Sequence, residues 1–323
     1  MTLSNAAEQE QRRGTSVPRR GVFSRFELGL GRPSRQHWLG YLLLIPAVLL
    51  IAAIIIYPLV VSIDLSFQKV NMIRLGAPRK PYTFDNYIRL FNSTEFWRSL
   101  WVTAKILVIV TTSCLVIGLG SALLINNKFK GRKIARLFVA MPWAVPEVVA
   151  VVIFAWIFDT SFGLVNWFLV STGLSDKMIH WISDPGPAFI AVCVTMVWKG
   201  YPFVAIMSLA GLQAIPEDLY SAAKVDGASA FQRFVNITIP QMMPVLVVII
   251  VLVVLWLFRD FSIVYTMTEG GPVKATQTLS IMTYQQAFAF FKMGYAASIG
   301  VVTLILCTIA GLFMIRGHAN SMY

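Results

Sequence analysis

Five ionisable side chains interrupt otherwise apolar runs: Lys105, Glu147, Lys199, Arg259 and Asp260. A charged Lys or Arg at the centre of a bilayer span costs about 2.5–3.5 kcal/mol on insertion scales. Such groups are therefore expected to face protein, a cavity or one another. Lys105 falls near the end of its run, where a long stem can lie on apolar surface while the head reaches water. Glu147 follows Pro146, and Lys199 precedes Gly200-Tyr201-Pro202, where a proline can open a helix and free carbonyls. Arg259 and Asp260 are adjacent in sequence, so they do not share a helix face and can link a cavity to a neighbouring helix. The residues alone leave two readings open, a polar cluster that ties helices together and the wall of a solute site.

Covalent chemistry has no comparable foothold. The chain lacks a G-x-x-x-x-G-K-[ST] phosphate loop, an H-E-x-x-H pair and a G-x-S-x-G elbow. It is expected neither to bind nor to hydrolyse ATP, and no residue is assigned as catalytic. Cys114, Cys193 and Cys307 lie dispersed in apolar stretches, and His37, His180 and His318 have no ligand spacing. No metal site is expected. N-x-[ST] matches at Asn92 and Asn236 are short enough to occur by chance.

The elements that must position these groups follow from composition. Of 323 residues, 57% are hydrophobic and 13% charged, against roughly 25% charged in a soluble domain. Mean hydropathy is +0.70. These values exclude a soluble globular fold and predict an all-α integral membrane protein. Stretches of about 20 apolar residues, the length of a span, occur six times: 38–63, 100–125, 134–158, 188–212, 245–267 and 295–315. The alternating ten-residue segments of a membrane β-barrel are absent.

Residues 1–37 form a polar tail rich in arginine, expected to be a disordered cytoplasmic arm, and 316–323 a short cytoplasmic end. No apolar core of a signal peptide precedes residue 38. With the N-terminus inside, cytoplasmic segments hold 15 Lys and Arg (Arg136 counted with its flank) and external ones hold 9. The first external loop runs against this trend through Lys69, Arg74, Arg79, Lys80, Arg89 and Arg98. The cluster Lys128, Lys130, Arg132, Lys133 and Arg136 is the strongest mark of the inside. The net charge of +12 then reflects loops facing anionic membrane lipid rather than a nucleic-acid partner.

The connection 213–241 carries a pattern of its own. Pro216 suits a first helical turn and Glu217 and Asp218 its positive end, while Gly227 can break the helix before Phe231 and Phe234. Two short helices meeting at a glycine are expected. Ala222, Ala223, Gly227 and Ala228 leave a thin surface on which another protein can dock closely.

This segment, with Ser221-Ala222-Ala223, Asp226-Gly227-Ala228 and Ile237-Thr238-Ile239-Pro240, resembles the E-A-A-x-x-x-D-G-A…I-x-L-P coupling loop of bacterial ABC importer permeases. Three further matches point to the carbohydrate branch similar to the maltose-type F permease. They are Phe84-Asp85-Asn86-Tyr87 with Phe96-Trp97, Met141-Pro142-Trp143-Ala144-Val145-Pro146, and Thr268-Glu269-Gly270-Gly271-Pro272 with Thr276. The likeness runs from about residue 38 to the C-terminus. It departs at Ser221, where the family has the Glu that anchors the loop to the ATPase; Asp226 remains, and Glu217 or Asp218 can substitute.

The resemblance implies a six-helix type I permease fold in a bacterial inner (plasma) membrane. It implies a subunit of an ATP-driven sugar importer that works with a second homologous permease, two copies of an ATPase that bind ATP and Mg, and an external sugar-binding protein. No cofactor is implied in this chain. It places the sugar mid-membrane against Trp143, Glu147, Lys199, Gly200, Phe203, Phe258, Arg259 and Asp260, with Ser221 to Ala223 and Asp226 to Ala228 coupling to the ATPase. A disaccharide is the expected substrate, trehalose the specific guess. A proton-coupled secondary transporter using Glu147 and Asp260 is the alternative; a membrane glycosyltransferase would want a carboxylate or histidine cluster at a loop, which the sequence lacks.

Overall fold

The computed structural model describes residues 35–71 and 82–319. Most of the arginine-rich tail, the loop residues Arg74, Arg79 and Lys80, and the last four residues lie outside the described residues. Among the described residues all regular structure is helical. One compact unit ends at Ile56 and holds helix α1 (Arg35–Ile51) and a π turn (Ala52–Ile56). The second begins at Tyr57 with α2 (Tyr57–Ser66), α3 (Asp85–Phe91) and α4 (Thr94–Asn126). It continues with α5 (Arg132–Ala144), α6 (Glu147–Ile157), α7 (Leu164–Ser171) and α8 (Pro185–Ala214). After α9 (Glu217–Val225) and α10 (Ala230–Arg233) come α11 (Ile239–Arg259), α12 (Ser262–Thr268), α13 (Leu279–Tyr284) and α14 (Met293–Ala319).

Five helical runs are long and apolar enough to cross a membrane: Tyr41–Ser66, Thr94–Asn126, Pro185–Ala214, Ala230–Arg259 and Met293–Arg316. The pair α5 and α6 makes a sixth, bent by 96°. The apolar run 134–158 is therefore two helices rather than one rod. Val145 turns extended, and Pro146, which has no N–H to continue a helix, caps the next one. The fifth run also differs from the hydropathy reading of 245–267. Helix begins at Ala230, passes through a π turn at Phe234–Thr238, and stops at Arg259, where Asp260 is extended. Asp260 thus stands at a helix end and not inside a continuous span over 245–267. Residues after Thr268 do not form a plain external loop either, since α13 and its neighbours Thr276 and Gln277 are buried.

The core is centred on α4 and α8. A Cβ at Gly118 would lie 2.6 Å from the Cβ of Val204, and one at Gly211 would lie 2.9 Å from the Met242 sulfur. Small residues let helices approach closely where lipid offers no hydrophobic drive to do so. Val110, Cys114, Met196, Val204, Met242 and Ile249 are buried around this seam. A second cluster joins Leu90, Phe96, Leu279, Met282, Tyr295 and Ile299. Lys105 is half-buried, and its ammonium lies 4.8 Å from the Phe189 ring centre, a cation–π contact.

The two ends of the bundle differ in chemistry. At one end the basic cluster meets the 213–241 segment, with Lys128 3.9 Å from Glu217 and Arg132 Nε donating to the Ile125 carbonyl at 2.8 Å. That cation satisfies a carbonyl at the C-terminal end of α4. At the other end Glu95 pairs with Lys274 at 2.6 Å, and Arg98 donates to the Val273 carbonyl.

Candidate functional site

The break between α5 and α6 opens a cavity of about 370 Å³. Six of the eight side chains expected at a sugar site line it: Trp143, Glu147, Lys199, Gly200, Arg259 and Asp260. Each arrives by a different local device. Trp143 lies in the last turn of α5, and Glu147 is the first residue of α6, where a carboxylate faces the positive helix end. Arg259 ends α11 and Asp260 caps it. Gly200 brings α8 against the Cys114 sulfur, 3.0 Å from where a Cβ would sit.

Phe203 and Phe258 do not line the cavity. Phe203 stands behind it, its ring 6.3 Å from Trp143 and 4.5 Å from Trp256, so it supports the two tryptophans rather than facing a solute. Phe258, next to Arg259 on α11, is not one of the lining residues. Trp256, Phe261 and Ser262 line the cavity and were missed. Phe261 stacks on Tyr265 and meets Tyr284 in a tilted contact, with ring centres 4.8 Å away in both cases. The trace in the sequence was the position of Trp256 three residues before Arg259, one helical turn away.

The polar groups are not equivalent. The Glu147 and Asp260 carboxyl groups lie close to one another. Oδ1 of Asp260 is buried without a hydrogen-bond partner. Lys199 donates to three backbone carbonyls. Among the described residues Arg259 has no ion-pair or hydrogen-bond partner and is exposed to the cavity. The arrangement offers one free guanidinium donor, carboxyl acceptors and flanking indole faces, which is suited to holding a polar solute and not to covalent chemistry. No cluster of three or more His, Cys, Asp or Glu able to hold a metal occurs among the described residues.

The second candidate region is the 213–241 segment. Helix α9 carries Ser221, Ala222 and Ala223, and ends at Asp226. Gly227 adopts φ +78°, its N–H bonds the Lys224 carbonyl at 3.1 Å, and Ala228 N–H bonds the Ala223 carbonyl at 2.9 Å. That pair of bonds is the Schellman ending of a helix, which favours glycine at the left-handed position. Ser229 then opens α10 with a reciprocal Ser229–Gln232 capping box. The two short helices thus meet at the glycine. Ser221, Ala222, Asp226 and Gly227 are exposed, Ala223 and Ala228 half-buried. Beside them Val225 is 88% and Phe231 75% exposed, an apolar surface at the polar end of the bundle.

A family model described as binding-protein-dependent transport system inner membrane component matches residues 114–316. The trehalose/maltose transport system permease protein MalF of Thermococcus litoralis is 37% identical over 277 residues, covering 84% of this chain and 90% of that protein. The sulfoquinovosyl glycerol transport system permease protein SmoG of Agrobacterium fabrum is 39% identical over 268 residues, covering 83% and 86%. A solved bacterial ABC transporter involved in the import of the acidic polysaccharide alginate has a chain that superposes with a TM-score of 0.76 at 22% identity, covering 88% of this chain and 96% of that one. That likeness fixes the fold as that of an ABC importer permease. The chain belongs to the binding-protein-dependent transport system inner membrane component family, as a membrane-spanning transport subunit and not an enzyme.

Proposed function

We propose that the chain is the permease subunit of an ATP-driven sugar importer and that the cavity at the α5–α6 break is its part of the sugar path. The observation that carries this reading is the unpartnered Arg259 set beside Trp143, Trp256 and the Glu147–Asp260 pair in one cavity. A pyranose has apolar C–H faces that suit indole rings and a hydroxyl rim that suits charged hydrogen-bonding groups. A volume of about 370 Å³ falls in the range of small-molecule pockets. A relative named for trehalose and maltose transport supports a disaccharide, with trehalose the first sugar to test.

The chain then works with a second homologous permease, two ATPase copies that bind ATP and Mg, and an external sugar-binding protein. Ser221 to Ala223 and Asp226 to Ala228 form the surface on which the ATPase acts, and closure of the ATPases switches the cavity between outward-open and inward-open states. Both termini then face the cytoplasm, a reading supported by the arginine-rich tail and the Lys128 to Arg136 cluster. Purification through a tag on this chain tests the assembly: an ATPase subunit should come with it, and isolation of the chain alone as an active transporter contradicts the reading.

The neighbouring carboxyls of Glu147 and Asp260 favour one rival, proton-coupled transport. Uptake that survives ATP depletion but collapses with a protonophore would select that rival.

A further inference from the structure

Lys199 was expected to hydrogen-bond the transported solute, but its surroundings assign it other work. Its Nζ donates to the carbonyls of Pro142 at 3.2 Å, Trp143 at 2.9 Å and Val145 at 2.5 Å. An ammonium has three N–H donors and no acceptor, so all three are in use. The accepting carbonyls are those an ended helix leaves without partners. Continuation is blocked at Pro146, and the chain bends by 96° between α5 and α6. A cation at the C-terminal end of α5 also opposes the negative pole of that helix.

We propose that Lys199 is a positioning residue: it clasps the open end of α5 from α8 and so holds the bend that places Trp143 and Glu147 in the cavity. These two residues flank the break, one in the last turn of α5 and one at the first position of α6. Any drift of the bend moves an aromatic face and a carboxyl of the cavity relative to each other. The proposal rests on the importer reading only for its transport readout; the bend itself is read without any solute.

The test uses the full chain in its assembled complex, with Cys307→Ala and the buried Cys114 and Cys193 retained. Spin labels replace Ile134 on α5 and Val152 on α6, both exposed. At 1.5 Å per residue, those backbone positions lie about 19 Å apart across the bend and about 27 Å apart along a straight helix. Lys199→Met, similar in length but without donors, should give a longer and broader distance distribution. Lys199→Arg, which keeps donors and charge, should hold the native distance and retain transport. If Lys199→Met does not accumulate, Lys199→Gln with its two N–H donors is measured instead, and the same lengthening is expected. An unchanged distance in the donor-poor variant overturns the clasp, whatever transport does. A lengthened distance with unchanged sugar transport leaves the clasp standing and counts against the proposed sugar path.

Discussion

Gly227 concentrates the coupling argument in one backbone torsion. Its φ of +78° closes the end of α9, and a Cβ there would meet nothing within 4 Å in this chain. The cost of a side chain inside the subunit is therefore conformational and not steric. Left-handed backbone costs an L-residue roughly 1–2 kcal/mol, a factor of about 5–30 in a population. Asparagine tolerates this region several-fold better than most residues, and a β-branched residue tolerates it least. If the φ alone matters, transport by the assembled complex should fall in the order Gly227, Gly227→Asn, Gly227→Ala, Gly227→Val. Gly227→Val should lose at least about five-fold, and ATP hydrolysis should lose its dependence on the loaded binding protein. Membrane insertion should be unaffected, because Gly227 lies outside the helical runs that cross. A Gly227→Asn variant as inactive as Gly227→Val would show that the open space itself is needed for a docked partner. Normal transport by Gly227→Val would refute a coupling role for the bend.

Arg259→Ala should lower transport at least about tenfold, since a charge-assisted hydrogen bond contributes about 1.5–3 kcal/mol and 1.4 kcal/mol is a factor of ten. Complex yield should be unchanged in the same preparation, because Arg259 ties no helices together among the described residues; loss of assembly would make it structural. Gly118→Leu should lower the melting temperature of the purified chain, because its Cβ would sit 2.6 Å from Val204 and overpacking costs about 1–3 kcal/mol. Unchanged melting would mean that the α4–α8 seam is looser than its geometry indicates. A cysteine introduced at Arg20 should resist impermeant thiol reagents in intact cells, and ready labelling there would place the N-terminus outside.

The apolar runs and the glycine-hinged 213–241 segment were legible because their causes are local: span length, a proline at a first turn, an Asp-Gly helix ending. The interruptions were not. Val145-Pro146 and Asp260 sit inside runs whose hydropathy does not change, so a window of about 20 residues reads through them. Pro240 and Pro244 look like reasons to start a helix late, yet helix extends back to Ala230 through a π turn. The charged residues of the cavity could be picked out because charge is rare in such runs. Trp256 left only its one-turn spacing from Arg259 and Phe261 left no trace, since an aromatic residue that faces lipid and one that faces a cavity look alike in sequence. Lys199 shows the remaining limit: its position was legible, but the three carbonyls that occupy it come from another helix.

The central claim is that sugar passes this cavity under the drive of ATP. It is tested most directly by trehalose uptake into proteoliposomes holding the four-subunit complex and supplied with the external binding protein. Uptake should require ATP and the binding protein together, be indifferent to a proton gradient, and fall at least tenfold with Arg259→Ala. Uptake driven by a proton gradient without ATP, or untouched by Arg259→Ala, would contradict the account.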